Sequence, residues 1–223
     1  MKSIFALALS VLLLAPFSAT ADTSWMEPAY DEIDSSLETL SPIDAPEKEI
    51  QFSSNHDDIY RAKIVAIINK STIGSTTQLM RVYVDGELKF EWKVSTGREK
   101  VEKAKSGRVY KTTTPVGYYR PTKLVKNYHS NTWKAEMPNS VFFNGGIAVH
   151  ASTHIDQLGQ RASGGCIRLS PNHAATFFKL VSSMEREEVN IINRMSGKNS
   201  LNSKGEPMKV MNRDVLIIVE NKI

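Results

Sequence analysis

Cys166 is the only cysteine in the 223-residue chain, and it directly follows Gly164 and Gly165. Glycines before a nucleophile let the backbone turn sharply and bring amide N–H groups close to the sulfur. A thiol also needs a base or a positive partner to become a thiolate near neutral pH. The nearest bases along the chain are His150, His154 and His173. A cysteine with a histidine supplies a nucleophile and a general acid–base group for acyl transfer.

Two other interpretations of the cysteine remain open at this point. In the first interpretation, Cys166 is an inert side chain of the protein core, because free cysteine is often buried. A metal site is the other, since His150 and His154 are four residues apart and Cys166 would be a third ligand. That spacing needs a helix, however, and residues 147–149 are typical of a strand. The sequence therefore predicts no metal and no other cofactor.

Apolar runs in the first part of the domain predict β-strands. Residues 60–68 lack clean alternation of apolar and polar side chains, which favours a strand buried on both faces. Residues 79–84 and 88–94 flank the pair Asp85-Gly86. A type I′ turn needs positive φ at both central residues, so this pair indicates a hairpin.

The sequence predicts a second hairpin before the cysteine and one helix after it. Residues 141–143 and 147–149 flank Asn-Gly-Gly, and the return strand ends at His150. Ser170 and Pro171 are typical of a helix N-cap and its first residue. The apolar positions that would share one face of this helix are Ala174, Phe177, Phe178 and Val181.

The expected fold class is mainly β, a β-sandwich or partly closed barrel with one helix packed after the cysteine. Two further apolar runs, 189–192 and 215–219, predict closing strands near the end of the domain. The sequence contains no internal repeat and no low-complexity segment.

The first 21 residues are typical of a signal peptide. Lys2 gives a positive start, residues 4–14 are mostly apolar, and residues 19–21 have the small-x-small pattern of a cleavage site. The apolar run is shorter than the ~20 residues that a membrane-spanning helix needs. We therefore expect Asp22 to begin a mature chain without an integral membrane segment, exported to the periplasm or cell envelope.

Charge divides the mature chain into two parts. Residues 22–58 hold 11 acidic residues and one lysine, a net charge of −10, and residues 59–223 hold 26 basic and 13 acidic residues, a net charge of +13. We interpret 22–58 as an acidic leader and 59–223 as the folded catalytic domain. The leader is either a solvated tail or a segment that shields a basic cleft.

Nucleic-acid binding is not predicted, because the basic residues are scattered along the domain and form no recognition motif.

The cysteine segment resembles a known family. Residues 163–169, Ser-Gly-Gly-Cys-Ile-Arg-Leu, with His150 upstream at the end of an apolar strand, resemble the L,D-transpeptidase catalytic domain. That family's motif is Ser-His-Gly-Cys, followed by a hydrophobic residue and Arg or Asn, with an Ile-His-Gly-type motif upstream. Three further segments agree with it: Ser-Thr-Gly at 95–97, Thr-Pro-Val-Gly at 114–117 and Phe-Phe-Asn-Gly-Gly at 142–146. The resemblance covers residues 59–220.

The chain departs from the family pattern at two positions. Ala151 replaces the glycine that follows the upstream histidine, and Gly164 replaces the histidine of Ser-His-Gly-Cys. The second change removes an imidazole from the active-site turn. His154 either compensates for it from the 151–165 loop or is a surface histidine.

The resemblance implies a mechanism of acyl transfer through a thioester. Cys166 would attack the carbonyl of the third residue of a peptidoglycan stem tetrapeptide, an L-centre on a diamino acid such as meso-diaminopimelate. His150 would assist thiolate formation and protonate the departing D-alanine. Backbone N–H groups of Gly165 and Cys166 would form the oxyanion hole.

Three nearby residues would have supporting roles. Arg168 would either bind a carboxylate of the stem peptide or brace the loop through a backbone carbonyl. Ser163 would orient the turn or His150 by hydrogen bonding. Asp156 is a candidate for steadying an imidazole, although its spacing does not require it.

The expected partners are peptidoglycan stem peptides and, as an acyl acceptor, a second stem or an envelope protein. Transfer to a second stem forms a 3→3 cross-link, and water as acceptor makes the enzyme an L,D-carboxypeptidase. Another cysteine hydrolase of the cell wall is an alternative. A non-catalytic wall-binding module is a further one, suggested by Gly164.

Overall fold

Seventeen strands and one α-helix make up residues 62–223, the part of the chain that the computed structural model describes. In chain order, the strands are β1 (Ile64–Asn69), β2 (Leu79–Val84), β3 (Glu87–Lys93), β4 (Thr96–Gly97), β5 (Val101–Lys103), β6 (Val109–Lys111), β7 (Gly117–Tyr119), β8 (Lys123–Val125), β9 (His129–Ser130), β10 (Ala135–Glu136), β11 (Ser140–Asn144), β12 (Ile147–Ala151), β13 (Arg161–Ser163), β14 (Ile167–Leu169), β15 (Arg186–Asn190), β16 (Lys209–Arg213) and β17 (Val215–Glu220). The helix α1 is Pro171–Ser183. The predicted signal peptide (1–21) and acidic leader (22–58) lie outside the described residues and stay predictions.

A five-stranded sheet in the order β3-β2-β1-β17-β7 forms one layer. Strand β1 is parallel to β17 and antiparallel to β2, and most of its side chains are buried, as the missing alternation predicted. The β2–β3 hairpin turns at Asp85 (φ 51°) and Gly86 (φ 84°). The predicted turn with positive φ at both positions is therefore confirmed.

A four-stranded sheet in the order β14-β12-β11-β8 forms the second layer. The predicted hairpin of β11 and β12 is confirmed, with a register shift between Phe142 and Asn144. Strand β14 lies parallel to β12, so the chain crosses over between them through a 3₁₀ turn (Ile155–Gln157) and β13. This crossover returns Cys166 to the strand that carries His150.

Helix α1 begins where the sequence predicts. The Ser170 hydroxyl accepts a hydrogen bond from the His173 N–H at 3.3 Å, and Pro171 is the first helical residue. Of the four predicted face residues, Ala174, Phe177 and Val181 are buried, and Phe178 is half-buried against the same core.

The main core lies between the two sheets and includes the inner face of α1. Its largest buried side chains come from β1, β2, β11, β14, β17 and the helix, and they include Ile64, Met80, Phe143, Leu169, Phe177 and Ile217. The mainly β sandwich with one helix after the cysteine is therefore confirmed, and across residues 62–223 the sheets do not close into a barrel.

The two late strands differ in environment. Residues 215–219 lie within β17, in the interior of the five-stranded sheet. The predicted strand at 189–192 is instead β15, which pairs with β16 in a separate two-stranded sheet and buries only Val189. Its charged residues 186–188 suit this exposed position. No helix in residues 62–223 is long and apolar enough to cross a membrane.

Candidate active site

His150 and Cys166 lie on the face of the four-stranded sheet that points away from the main core. Side chains alternate along a strand, and in β12 the core-facing residues are Val149 and Ala151. His150 therefore projects from the opposite face. In β14, Ile167 enters the core, which places its neighbours Cys166 and Arg168 on the other side.

The imidazole of His150 is held by its own strand. Its ring Nδ1 lies 2.7 Å from the carbonyl oxygen of Ala151. A carbonyl only accepts hydrogen bonds, so Nδ1 carries the proton and Nε2 has the free lone pair. Burial lowers the pKa of His150 to about 4, assisted by the positive charge of Arg168. The ring is therefore neutral at physiological pH and is able to accept a proton at Nε2.

The Cys166 thiol is half-buried against a small apolar cluster of Met137, Phe142 and Ala148. Its Sγ lies 3.8 Å from the carbonyl oxygen of Gly146. Burial raises the pKa of the thiol, while a backbone hydrogen bond at Ala148 and the charge of Arg168 oppose that rise. The resting pair is therefore a neutral thiol beside a neutral imidazole.

Ser163 closes the turn that carries the cysteine. Its hydroxyl accepts a hydrogen bond from the Gly165 N–H at 3.1 Å and donates one to the Cys166 carbonyl at 2.5 Å. The side chain is fully buried. Of the two roles expected for Ser163, these bonds correspond to orienting the turn.

Thr114 also holds the turn that carries the cysteine, through hydrogen bonds of its hydroxyl group. Its hydroxyl donates to the Gly165 carbonyl at 2.8 Å and accepts from the Gly97 N–H at 2.8 Å. A Cβ on Gly97 would collide with the carbonyl oxygen of Thr112, so this close approach needs glycine. The Ser-Thr-Gly and Thr-Pro-Val-Gly segments singled out in the sequence therefore both contact the cysteine turn.

A partly buried ion pair between Lys70 and Glu99 supports Thr114. The Lys70 ammonium donates to the Thr114 carbonyl at 2.8 Å and to Glu99 Oε1 at 2.9 Å. The same carboxylate oxygen accepts from the Thr114 N–H at 3.3 Å. Glu99 has a φ of 58°, a region that non-glycine residues enter rarely. Sequence reasoning missed both charged residues, since neither stands in a recognisable motif.

Arg168 braces the crossover loop. Its Nη1 donates to Gln157 Oε1 at 3.0 Å, so the loop contact is made to a side-chain amide and not to a backbone carbonyl. The backbone of Arg168 exchanges hydrogen bonds with Ser95 at 2.9 and 3.1 Å. Within residues 62–223, no carboxylate lies in ion-pair range of this guanidinium. Burial lowers its pKa, and the charge of Arg98 acts in the same direction.

The two other candidate histidines, His154 and His173, do not join the pair. His154 is exposed just before the 3₁₀ turn, and His173 stacks on Trp92 with ring centroids 5.1 Å apart. Asp156 is also exposed, and the imidazole of His150 is held by a carbonyl rather than by this carboxylate. His150 lies on a strand and His154 beyond it, so they share no helix face. In the described part of the chain, no three His, Cys, Asp or Glu residues are grouped to hold a metal.

Trp133 lies directly over Gly164 and was not singled out in the sequence. A Cβ on Gly164 would lie 2.6 Å from Cε2 and 2.9 Å from Nε1 of the indole. The indole therefore fills the volume that a side chain at position 164 would need. A tryptophan in a polar loop between two short strands is the only sequence signal that points to it.

Comparisons with known proteins found one matching family model and several similar solved structures. The model of the L,D-transpeptidase catalytic domain family, YkuD, matches residues 64–209. Similar solved structures include the L,D-transpeptidases of Xylanimonas cellulosilytica (23% identity, TM-score 0.49, covering 71% of this chain and 61% of that one), Mycobacterium smegmatis (18%, 0.47, 71% and 59%) and Mycobacterium tuberculosis H37Rv (16%, 0.46, 71% and 58%).

These solved structures are longer than the matched region, and this chain spans about 60% of their length. No curated protein matches the chain. The family model covers more than half of the 223 residues and includes both His150 and Cys166. The chain belongs to the L,D-transpeptidase catalytic domain family.

Proposed function

We propose that the protein is an exported peptidoglycan L,D-transpeptidase that uses Cys166 as nucleophile and His150 as proton acceptor and donor. One observation carries the proposal. The Nδ1–H of His150 is held by the Ala151 carbonyl, which leaves Nε2 available as a base on the sheet face that also carries the thiol. Family membership supports the substrate class.

In the first step, Nε2 of His150 takes the thiol proton while Sγ attacks the carbonyl of the third residue of a stem tetrapeptide. The C–S bond forms and the amide C–N bond breaks. The imidazolium then returns its proton to the departing nitrogen, so D-alanine leaves as a neutral amine. A base with a pKa of about 4 binds a proton only weakly, which favours prompt return of that proton.

The negative charge that develops on the attacked carbonyl oxygen needs a hydrogen-bond donor from the turn that carries Cys166. The Gly165 N–H is engaged with Ser163 Oγ at 3.1 Å. We therefore assign oxyanion stabilisation to the amide of Cys166. The two hydrogen bonds of Ser163 and the one from Thr114 hold this turn in place before substrate binds.

In the second step, an amine attacks the thioester and releases the thiol. A diamino-acid side chain of a second stem gives a 3→3 cross-link, and a lysine of an envelope protein gives a covalent attachment to the wall. Water gives an L,D-carboxypeptidase product instead. His150 would take a proton from any of these acceptors.

The positive charges of Arg168 and of the domain as a whole support an anionic substrate in the cell envelope. Arg168 is half-buried next to the thiol, and its side chain bonds the neutral amide of Gln157. We assign it a carboxylate of the stem peptide. The excess of 13 basic residues in 59–223 acts in the same direction. Residues 1–21 would direct export.

The test is incubation of the mature protein with purified tetrapeptide-stem muropeptides, with products identified by mass spectrometry. We expect release of D-alanine and a cross-linked dimer. Cys166→Ala should abolish both products, and His150→Gln should reduce them strongly. D-alanine release without dimer would identify the carboxypeptidase. No change in any muropeptide would overturn the proposal.

A second assay separates an enzyme from a wall-binding module. The protein is incubated with a carbapenem, and its intact mass is measured with Cys166→Ala as control. We expect a single adduct that requires the thiol. Absence of an adduct on the wild-type protein would favour the binding-only alternative.

A further inference from the structure

We propose that Trp133 is a positioning residue for the nucleophile. In this proposal, its indole takes the place of a side chain at position 164 and holds the turn from Ser163 to Cys166. The kinetic part of the proposal rests on the proposed function, whereas its structural part concerns the reactivity of the thiol alone.

Contact between the indole and the turn is close enough to exclude any side chain. A Cβ on Gly164 would lie 2.6, 2.7 and 2.9 Å from Cε2, Cζ2 and Nε1 of Trp133. Real Cβ atoms do not approach other atoms below 3.0 Å. Either the indole or the turn would have to move if residue 164 were anything but glycine.

Adjacent glycines in this turn are required for different reasons. Gly165 has a φ of +120°, which side-chain-bearing residues rarely adopt, whereas the φ of Gly164 lies outside the strained positive range. The backbone at Gly164 therefore accepts an L-residue. The three atoms nearest to a Cβ at this position all belong to the indole of Trp133, so the two positions are coupled through space.

Contacts with a neighbouring hairpin hold the indole in place. Tyr110 on β6 lies against Trp133 with ring centroids 6.1 Å apart. The Ser106 N–H in the β5–β6 turn donates to the Thr132 carbonyl at 3.0 Å. The loop that carries Trp133 is thus fastened to a hairpin outside both main sheets.

Arg98 connects the indole to the residues that lead into the cysteine turn. Its Cζ lies 5.6 Å from the ring centroid of Trp133, within the range of a cation–π contact. The guanidinium donates to the Ala162 carbonyl at 2.6 Å and pairs with Glu102. The Arg98 N–H donates to the Ser163 carbonyl at 3.1 Å.

Trp133 and Arg98 therefore contact adjacent residues, Gly164 and Ser163, at the start of a short, glycine-containing segment. Two consecutive glycines give this segment more backbone freedom than two residues with side chains would, and the nucleophile follows it immediately. Packing of a rigid aromatic ring on that segment restricts it without a hydrogen bond. This explains how the turn is supported although the imidazole found in the resembled family motif is absent.

The test is a double-mutant cycle of Trp133→Ala and Gly164→Ala in the full chain. In the presence of Trp133, the new methyl group would collide with the indole and disturb the packing that holds the turn. We therefore expect Gly164→Ala to lower kcat for D-alanine release about tenfold and to lower Tm. In the Trp133→Ala background the methyl group has room. There, adding Gly164→Ala should change kcat by less than about twofold and Tm by less than about 1 °C.

The pH profile of Cys166 alkylation by iodoacetamide gives a readout that does not depend on turnover. Cys166 is the only cysteine, so every alkylation event reports on it. We expect Gly164→Ala to move the profile when residue 133 is tryptophan and not when it is alanine. Trp133→Phe, which keeps a ring on the turn, should stay closer to the wild-type profile than Trp133→Ala.

A matched control is Gly205→Ala, which lies in open space with a φ of +80° and has no atom within 4 Å of the added methyl group. Its effect on Tm should be the same in both backgrounds, as expected for residues without shared partners.

Two results would overturn the proposal. One is an equal effect of Gly164→Ala in both backgrounds. The other is a coupled change of Tm with unchanged alkylation profile and kcat, since Trp133 would then be purely structural. If the wild-type protein releases no D-alanine, the proposed function fails, and the alkylation profiles still decide the role of Trp133.

Discussion

His150 and Arg168 are register partners on the adjacent parallel strands β12 and β14. The positive charge of Arg168 lowers the pKa of His150 and also acts to lower the pKa of the Cys166 thiol. In both groups, burial has the larger effect: it lowers the pKa of the imidazole and raises that of the thiol. One guanidinium therefore favours the deprotonated forms of both the Cys166 thiol and the His150 imidazole.

The first prediction concerns stability in mild acid. His150 has a pKa of about 4 in the folded protein and an ordinary value of 6.5. Between these values the unfolded chain binds a proton that the folded chain does not. The free energy of unfolding should therefore fall as the pH decreases from 6.5 to 4, by about 3 kcal/mol from this group. Urea denaturation at a series of pH values measures it.

The control for this prediction is His150→Gln, which cannot titrate. Its free energy of unfolding should decrease less over the same pH range. Burial lowers the pKa of His173 as well, so His173→Gln should be measured beside it. Parallel curves for wild type and His150→Gln would show that the imidazole is not buried in its neutral form.

The second prediction concerns the reactivity of the thiol. Because burial raises the pKa of Cys166 and Arg168 opposes that rise, Arg168→Gln should raise the pKa further. Alkylation by iodoacetamide at pH 8 should then be slower, and the midpoint of the pH–rate profile should move to higher pH. Arg168→Lys keeps the charge and should stay closer to wild type. A faster reaction of Arg168→Gln would contradict the assigned electrostatics.

Local signals in the sequence predict those parts of the fold that depend on local physics. The Asp85-Gly86 turn, the hairpin before His150 and the N-cap at Ser170 all follow from short-range preferences for φ or for hydrogen bonding. Parallel pairing of β12 with β14 does not follow from such signals, because the two strands are separated by a crossover loop. The resemblance to a known family brought these segments together instead.

The candidate site was predictable to a similar degree. The types of residue 150 and residue 166 suggest the pair, but the tautomer of the imidazole depends on the Ala151 carbonyl, which only the backbone geometry reveals. Trp133 lies 31 positions before Gly164, in a loop without a motif. Long-range packing of this kind leaves no periodic or local signal in a single sequence.

The third prediction concerns the buried hydroxyl that links two segments of the site. Thr114→Val removes the donor to the Gly165 carbonyl and the acceptor for the Gly97 N–H, which lie 2.8 Å from it. Valine has nearly the same shape, so two buried backbone groups lose their partner while packing is preserved. We expect a loss of about 2–4 kcal/mol in the free energy of unfolding.

The matched variant is Thr114→Ser, which keeps the hydroxyl and loses only a methyl group, at a cost of about 1 kcal/mol. Urea denaturation gives the stability of both variants, and the pH–rate profile of alkylation shows whether the turn holding Cys166 has moved. We expect the profile to change in the valine variant and to persist in the serine variant. Equal stabilities, or a serine variant with the altered profile, would show that the hydroxyl does not hold the cysteine turn.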